Sequence, residues 1–166
     1  MGIPALSVGK TIGLPDLSVL KIAGDMNVTA GGHLTLSSGS DPLPQVFYGL
    51  YLEVGGELTV ADGGTLALRS DPTNDVAPYV ECGRLTVHTN GTISANGQGF
   101  GPTQGIEPGI GDRRGGAGHG GSGGSYPSWG VGGSPYGLAH RPWHAGSGGG
   151  YEDRGGSGGG ALRIRS

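Results

Sequence analysis

The sequence is poor in most of the residues from which conventional globular domains are built. Charged residues make up 14% of the chain, aromatic residues 6% and hydrophobic residues 34%. The single cysteine excludes an internal disulfide framework. No apolar run approaches the roughly 20 residues that a membrane-spanning helix needs. The net charge of −3 gives no reason to expect nucleic acid or an anionic membrane as a partner.

Glycine is what the sequence has in excess, with 40 of the 166 residues against an ordinary share of about 7%. Each glycine in a helix costs about 1 kcal/mol relative to alanine, so long helices are not expected. Low charge together with much glycine, serine and threonine favours an extracellular or cell-surface location. The start, MGIPALSVGKT, lacks the features of a signal peptide, so we interpret the chain as a mature or trimmed form, or as one not secreted by that route.

The first hundred residues contain an internal repeat. LKIAGDMNVTAGGHLTL (20–36) aligns without a gap with LEVGGELTVADGGTLAL (52–68), 32 positions later, and a third copy, VECGRLTVHTNGTISA, covers 80–95. Self-similarity at such a period is typical of stacked repeat architectures. The alignment predicts two ladders of core residues, Leu34, Leu66 and Ile93 in one, and Val28, Val60 and Val87 in the other.

Each repeat consists of short segments in which apolar and polar residues alternate, separated by glycine-containing turns. This pattern is typical of half-buried strands, and three strands per repeat predict one turn of a short right-handed parallel β-helix over residues 1–96. An antiparallel β-sandwich is the alternative. ALRIRS, residues 161–166, is predicted to return to the stack as the first strand of a further repeat.

The stretch 97–160 would then be a very long insertion, and we expect it to be ordered. Glycines recur every third residue at 115, 118, 121 and 124, which is the period of an extended polyproline-II-type chain. We predict a polyglycine-II-like layer of hydrogen-bonded segments in which valine at Gly118 or Gly121 is destabilising. Together with residues 1–96 and 161–166, this layer is expected to form one structural unit.

The motifs NGTISANGQGFGP and GGSGGGALRIRS, with the long glycine-rich stretch between them, resemble large bacterial secreted or surface proteins with β-helical, glycine-rich repeats. The resemblance covers roughly residues 50–166. It implies an extracellular protein of the adhesin or fibre-forming type, and it supplies no catalytic residues.

Candidate ligand-binding residues are few. His140 and His144 are weak candidates for a metal site, because their spacing matches no zinc pattern and Pro142 disfavours a helix that would align them. We expect no metal and no cofactor. Arg113 and Arg114 could bind an anionic group or could instead form ion pairs within their turn.

The predicted function is structural, a subunit or repeat module of a self-assembling extracellular filament or surface adhesin, joined head to tail to copies of itself. We predict no enzyme, because the acidic residues are scattered, with only Glu53 and Glu81 as potential neighbours. The alternative is a carbohydrate-binding module or a lyase-like β-helix enzyme. A binding module would expose its aromatic platforms, whereas a fibre subunit would bury them; the candidates are Tyr126, Trp129, Tyr136 and Trp143.

Overall fold

The computed structural model describes residues 3–17, 19–39, 48–106, 109–138, 144–150 and 154–166. Over these residues the fold is all-β, with about 42% strand and no helix. The chain divides into two compact units. The repeat unit comprises Met1–Ala95 and Leu162–Ser166, and the glycine-rich unit comprises Asn96–Ala161. His140 and Trp143 lie outside the described residues.

The described residues of the repeat unit form ten strands: β1 (Leu6–Val8), β2 (Thr11–Leu17), β3 (Val19–Ile22), β4 (Met26–Val28), β5 (His33–Ser38), β6 (Tyr48–Val60), β7 (Thr65–Arg69), β8 (Ala77–Val87), β9 (Thr92–Ser94) and β10 (Arg163–Arg165). Sheet A has the order β1-β4-β6-β8-β10, with β3 also paired to β6. Sheet B has the order β2-β5-β7-β9. The chain therefore alternates between two sheets and adds a strand at each return.

All the ladders between these strands are parallel. Those between the aligned copies pair the residues that the repeat alignment matches. Leu34 pairs with Leu66 and Leu66 with Ile93. Parallel neighbours need a crossover between them, so these ladders are not the hairpins of an antiparallel sandwich. Near the end of the chain, Ile164 of β10 pairs with Val80, so ALRIRS does return to sheet A.

The repeat begins earlier than its sequence alignment indicates. β1 pairs with β4 and β2 with β5, so residues 6–17 form a layer of strands that precedes the first aligned copy. The alignment misses this layer because its offset changes along the chain. Leu6 pairs with Met26, 20 positions on, whereas Thr11 pairs with His33, 22 positions on. A turn shorter by two residues therefore conceals the repeat.

The expected three strands per repeat occur only in the first aligned copy. In the next two copies, the first two segments join into the single long strands β6 and β8. A register shift between Val54 and Glu57 takes the place of the expected turn. Gly55 and Gly56 lie at this shift, and a Cβ on either would collide with atoms of the preceding repeat. Glycine thus lets the backbone pass here as an irregular strand.

The core of the repeat unit is a single cluster of side chains from both sheets. Alternating residues of β5 and β7 point inward, and Leu34, Leu66, Val28 and Val60 are completely buried. The last members of the two predicted ladders differ. Ile93 is only partly buried, and Val87 is 43% exposed. Among the described residues no strand stacks beyond them, so they lack the neighbour that buries the earlier members.

The glycine-rich unit is ordered by backbone hydrogen bonds between segments that have no strand assignment. Gly116 N donates to Gly124 O, Gly123 N to Gly133 O, and Gly133 N back to Gly116 O, at 2.7–2.9 Å. A second closed set joins Phe100 N to Gly146 O, Gly146 N to Gly159 O, and Gly158 N to Phe100 O, at 2.8–3.0 Å. In each set, each of three segments donates a hydrogen bond to one of the other two, so that the bonds close into a ring of three. In an ordinary flat sheet the two outer strands of three are not bonded to each other.

Close approach of backbones explains many of these glycines. A Cβ on Gly118 would collide with Ser134 O, and one on Gly123 with Gly116 O. The expectation for Gly118 therefore has a steric basis. At Gly121 the expected close approach is absent, since a Cβ there meets nothing within 4 Å, and the same holds for Gly124. Both are exposed, so the period of three does not place every glycine at a contact.

Candidate functional site

The exposed aromatic side chains of the glycine-rich unit lie at a tight turn. Tyr126 N donates to Gly130 O at 3.0 Å, and the amides of Trp129 and Gly130 both donate to Tyr126 O at 3.1 Å. Ser128 adopts the left-handed conformation, with φ 65°. The side chains of Tyr126 and Trp129 are 53% and 56% exposed. Two of the four predicted platform residues therefore face solvent within one turn.

A second turn of the same unit carries the adjacent arginines. Asp112 N donates to Val131 O at 2.9 Å, and the guanidinium carbon of Arg114 lies 5.1 Å from the centre of the Trp129 ring. Arg113 is exposed and has φ 48°. Arg114 is thus held beside the exposed Trp129, and Arg113 precedes it in the same turn. We call the two turns together, residues 112–115 and 126–131, the aromatic tip.

Tyr136 has a different environment from that of Tyr126 and Trp129. Its hydroxyl donates to Ala145 O at 2.6 Å and accepts from Ser147 Oγ at 3.0 Å. The His119 ring meets the Tyr136 ring edge-on, with centroids 4.8 Å apart. Because its hydroxyl and one ring edge are engaged within the unit, Tyr136 is a packing residue here and not an open platform.

The candidate metal ligand His144 lies beside Tyr136, with ring centroids 6.3 Å apart. Its backbone oxygen is 3.1 Å from His119 Nε2. Within the part of the chain that the structure describes, no group of three or more histidine, cysteine, aspartate or glutamate side chains is placed to hold a metal ion. His140 and Trp143 fall outside that part.

The outer face of sheet A carries an array of side chains of which the sequence predicted only the neighbouring pair Glu53 and Glu81. One row across neighbouring strands consists of Val19, Tyr51, Tyr79 and Arg163, and the next of Lys21, Glu53, Glu81 and Arg165. The rings of Tyr48 and Tyr51 both stack on Tyr79, with centroids 4.6 Å and 5.6 Å away. Tyr51 and Tyr79 lie 28 positions apart, as do Glu53 and Glu81, and this shared offset is the signal that could have revealed the array.

The two adjacent carboxylates of this face are flanked by cations, one at each end of the row. Lys21 Nζ donates to Glu53 at 2.5 Å, and Arg165 lies 3.9 Å from Glu81. Tyr51 donates its hydroxyl proton to Glu81 at 3.0 Å. Burial, this hydrogen bond and the negative charges of Glu53 and Glu81 raise the pKa of Tyr51 to about 12 from its usual 10.0. Each carboxylate thus has a partner already, which does not favour it as a catalytic acid or base.

An incomplete strand edge is the other notable feature of the repeat unit. β10 covers only Tyr79–Glu81 of β8, and among the described residues no strand pairs with Leu85–Val87 on that side. At the other end of sheet A, β1 is the terminal strand of the main strand order. Unpaired strand edges expose backbone donors and acceptors to which another strand can add.

Comparison with protein-family models, with curated proteins and with solved structures found no match. Among the described residues, no helix is long and apolar enough to cross a membrane. The candidate functional surfaces are therefore the aromatic tip, the strand edges and the outer face of sheet A.

Proposed function

We propose that the chain is a structural module of an extracellular filament or cell-surface adhesin, and that copies join head to tail. The repeat unit is proposed to be a short right-handed parallel β-helix, and the glycine-rich unit a polyglycine-II-like layer. Parallel crossovers within one sheet are right-handed in about 98% of cases, which supports the hand. The closed sets of three hydrogen-bonded segments support the polyglycine-II-like arrangement.

The observation that carries this proposal is the repetition of one strand pattern up to an open edge. In sheet A, Leu6 pairs with Met26, Met26 with Leu58, and Leu58 with Leu85. One position along is a row of polar residues: Ser7, Asn27, Thr59 and Thr86. One further position along is a row of valines: Val8, Val28, Val60 and Val87.

β1 of a second copy has the side chains that the open edge of β8 requires. Leu-Ser-Val placed beside Leu85-Thr86-Val87 continues every row of this pattern with a residue of the same kind. Such a contact would cover Val87, the exposed member of its ladder. A head-to-tail contact uses two different surfaces and leads to an open assembly unless the rotation happens to close a ring.

The test is assembly of the purified chain over a range of concentrations, followed by light scattering and electron microscopy. We expect filaments or concentration-dependent oligomers for the native chain, and their loss in Val87→Lys, because a charge on a strand edge opposes strand addition. Leu138→Lys is the matched control, since Leu138 is also exposed but lies outside the ladders.

A native chain that stays monomeric at high concentration would overturn the filament proposal. Equal loss of assembly in Val87→Lys and Leu138→Lys would show that the contact is not at the β8 edge.

A second function, carbohydrate binding, is favoured by the exposure of Tyr126 and Trp129. A fibre subunit would bury its aromatic residues, and these two remain in solvent in the single chain. Tyrosine and tryptophan have an apolar body and a polar edge, which suits stacking on the face of a sugar ring. The two functions are compatible, because an adhesin needs both a rigid support and a contact surface.

No catalytic activity is proposed. Glu53 and Glu81 are neighbours on sheet A, but each has a cationic partner, and the neighbouring row carries the stacked rings of Tyr51 and Tyr79. Incubation with polysaccharides should release no new chain ends. Cleavage by the native chain that disappears in Glu53→Gln or Glu81→Gln would contradict this view.

A further inference from the structure

We propose that the aromatic tip binds a polysaccharide that carries carboxylate groups, such as one built from uronic acids. This inference rests on the proposal that the tip contacts carbohydrate, and it adds the chemical class of the ligand. The observation behind it is the union of exposed aromatic rings with two consecutive arginines on one pair of turns.

The aromatic part of the tip provides a surface for the sugar rings. Tyr126, Trp129 and Val131 are all more than half exposed, and they fall within six positions of the chain. Trp129 also carries an indole N–H, which can donate a hydrogen bond to an oxygen atom. Sugar rings offer both an apolar face and hydroxyl oxygens, so one side chain meets both needs.

The arginines make the tip selective for a charged ligand. Arg113 and Arg114 with Asp112 give the turn a local charge of +1, in a chain whose net charge is −3. A guanidinium binds a carboxylate through two parallel hydrogen bonds, which gives direction as well as attraction. The Arg114 guanidinium lies over the Trp129 ring and adds positive charge to the aromatic surface. Arg113, its exposed neighbour in the turn, is the side chain that we expect to meet the carboxylate of a uronic acid stacked on Tyr126 or on the exposed remainder of Trp129.

The backbone of the tip is already fixed in the free chain. Asp112 N is bonded to Val131 O, and Arg114 N lies 3.4 Å from Trp129 O as donor to acceptor, so the two turns are tied together on both sides of Gly130. A Cβ on Gly130 would lie 2.5 Å from Asp112 O, which shows how closely the turns pack. A preformed surface loses little conformational entropy on binding, which favours affinity for a flexible polymer.

Affinity electrophoresis of the full chain in gels that contain polygalacturonate, alginate or neutral dextran tests the inference. We expect retardation by the two acidic polymers and not by dextran, with an affinity that falls as salt rises. Trp129→Ala should weaken binding by about tenfold or more, and Arg113→Gln with Arg114→Gln by a similar factor, the scale of a 1.4 kcal/mol contact. Leu138→Ala, a change at an exposed apolar residue outside the tip, should leave binding unchanged.

Hydrogen exchange at the amides of Gly123 and Gly133 first shows whether each variant keeps its backbone hydrogen bonds. Equal retardation by dextran and the acidic polymers, unaffected by the arginine changes, would overturn the carboxylate inference and leave carbohydrate binding standing. No retardation by any polymer would overturn both proposals. Binding to phosphatidylglycerol vesicles in place of the polymers would identify the tip as a lipid contact and overturn both as well.

Discussion

The two units of this chain order their backbones by opposite means. In the repeat unit, side chains such as Leu34 and Leu66 fill the space between two sheets and are completely buried. In the described part of the glycine-rich unit, the buried side chains are small, as at Ala145 and Ser147, while Trp129 is exposed. In the repeat unit, side-chain volume excludes water. In the glycine-rich unit, the near absence of side chains lets hydrogen-bonded backbones approach one another closely enough to exclude it.

The comparison predicts opposite sensitivities to mutation. Where side chains carry the packing, removing atoms should be the damaging change. Where backbone contact carries it, adding atoms should be the damaging change. Neighbouring positions in the same segment can therefore differ greatly in their tolerance.

The largest effect is expected for Gly123→Val. The new Cβ would collide with Gly116 O and open the closed set of hydrogen bonds that joins Gly116, Gly123 and Gly133. We expect a loss of about 4 kcal/mol or more, beyond the roughly 1–3 kcal/mol that overpacking usually costs, because the collision is with the backbone of another segment. Amide hydrogen exchange across residues 109–138 measures it, and protection there should disappear.

Gly124→Val is the control for this change, at the adjacent position. A Cβ at Gly124 meets nothing within 4 Å, so stability should change by no more than about 0.5 kcal/mol. Similar protection in the two variants would show that backbone contact is not what holds this unit together.

A smaller effect is expected for Leu66→Ala in the repeat unit. Leu66 is completely buried between Leu34 and Ile93, and truncation of such a residue costs about 3 kcal/mol. Ile93→Ala should cost clearly less, because Ile93 is only partly buried. Urea unfolding of the two variants provides the measurement. Equal losses in the free energy of unfolding would mean that Ile93 is buried in solution, as it would be if copies assembled end to end.

The smallest effect concerns the outer face of sheet A at high pH. The pKa of Tyr51 is about 12, above its usual 10.0, so its protonated form is favoured in the folded chain. Its contribution to stability is therefore complete below about pH 10 and is lost as the pH rises from 10 towards 12. The stability of Tyr51→Phe should fall less than that of the native chain over this interval.

Urea midpoints at several pH values give this comparison, with Tyr126→Phe as the control for an exposed tyrosine of the other unit. Identical pH profiles for Tyr51→Phe and the native chain would contradict the role of the Tyr51–Glu81 hydrogen bond.

The sequence predicted the parts of the fold that follow from side-chain periodicity. Leu34 pairs with Leu66, and Val28 with Val60, as the repeat alignment indicates, because the alternation of apolar residues and their burial impose the same register. The layer formed by β1 and β2 was missed because a shorter turn shifts its offset. The neighbouring pair Glu53 and Glu81 was expected at an offset of 28, but the tyrosines that share this offset, Tyr51 and Tyr79, were not added to it.

The glycine-rich unit was less predictable from sequence, because glycine has no side chain to indicate which way it faces. Gly118 and Gly121 fit the same period of three, yet only Gly118 lies against another backbone. Tyr126 and Tyr136 likewise looked equivalent as platforms. What separates them is the hydrogen bond from Tyr136 to Ala145, a contact set by the folded path of the chain.

The pairing of β10 with β8 has a consequence for how the chain folds and how it can lengthen. Ile164 reaches Val80 only after the excursion of residues 96–161 is complete, so β10 is expected to join the sheet late. That excursion begins and ends close together, since Gly99 N donates to Gly158 O. A flexible loop of this length is about four doublings longer than a four-residue turn. The added entropy cost of closing it is therefore only on the order of 2 kcal/mol. The turn after β9 is therefore a place where segments of very different length can be inserted while the strand register on either side is kept.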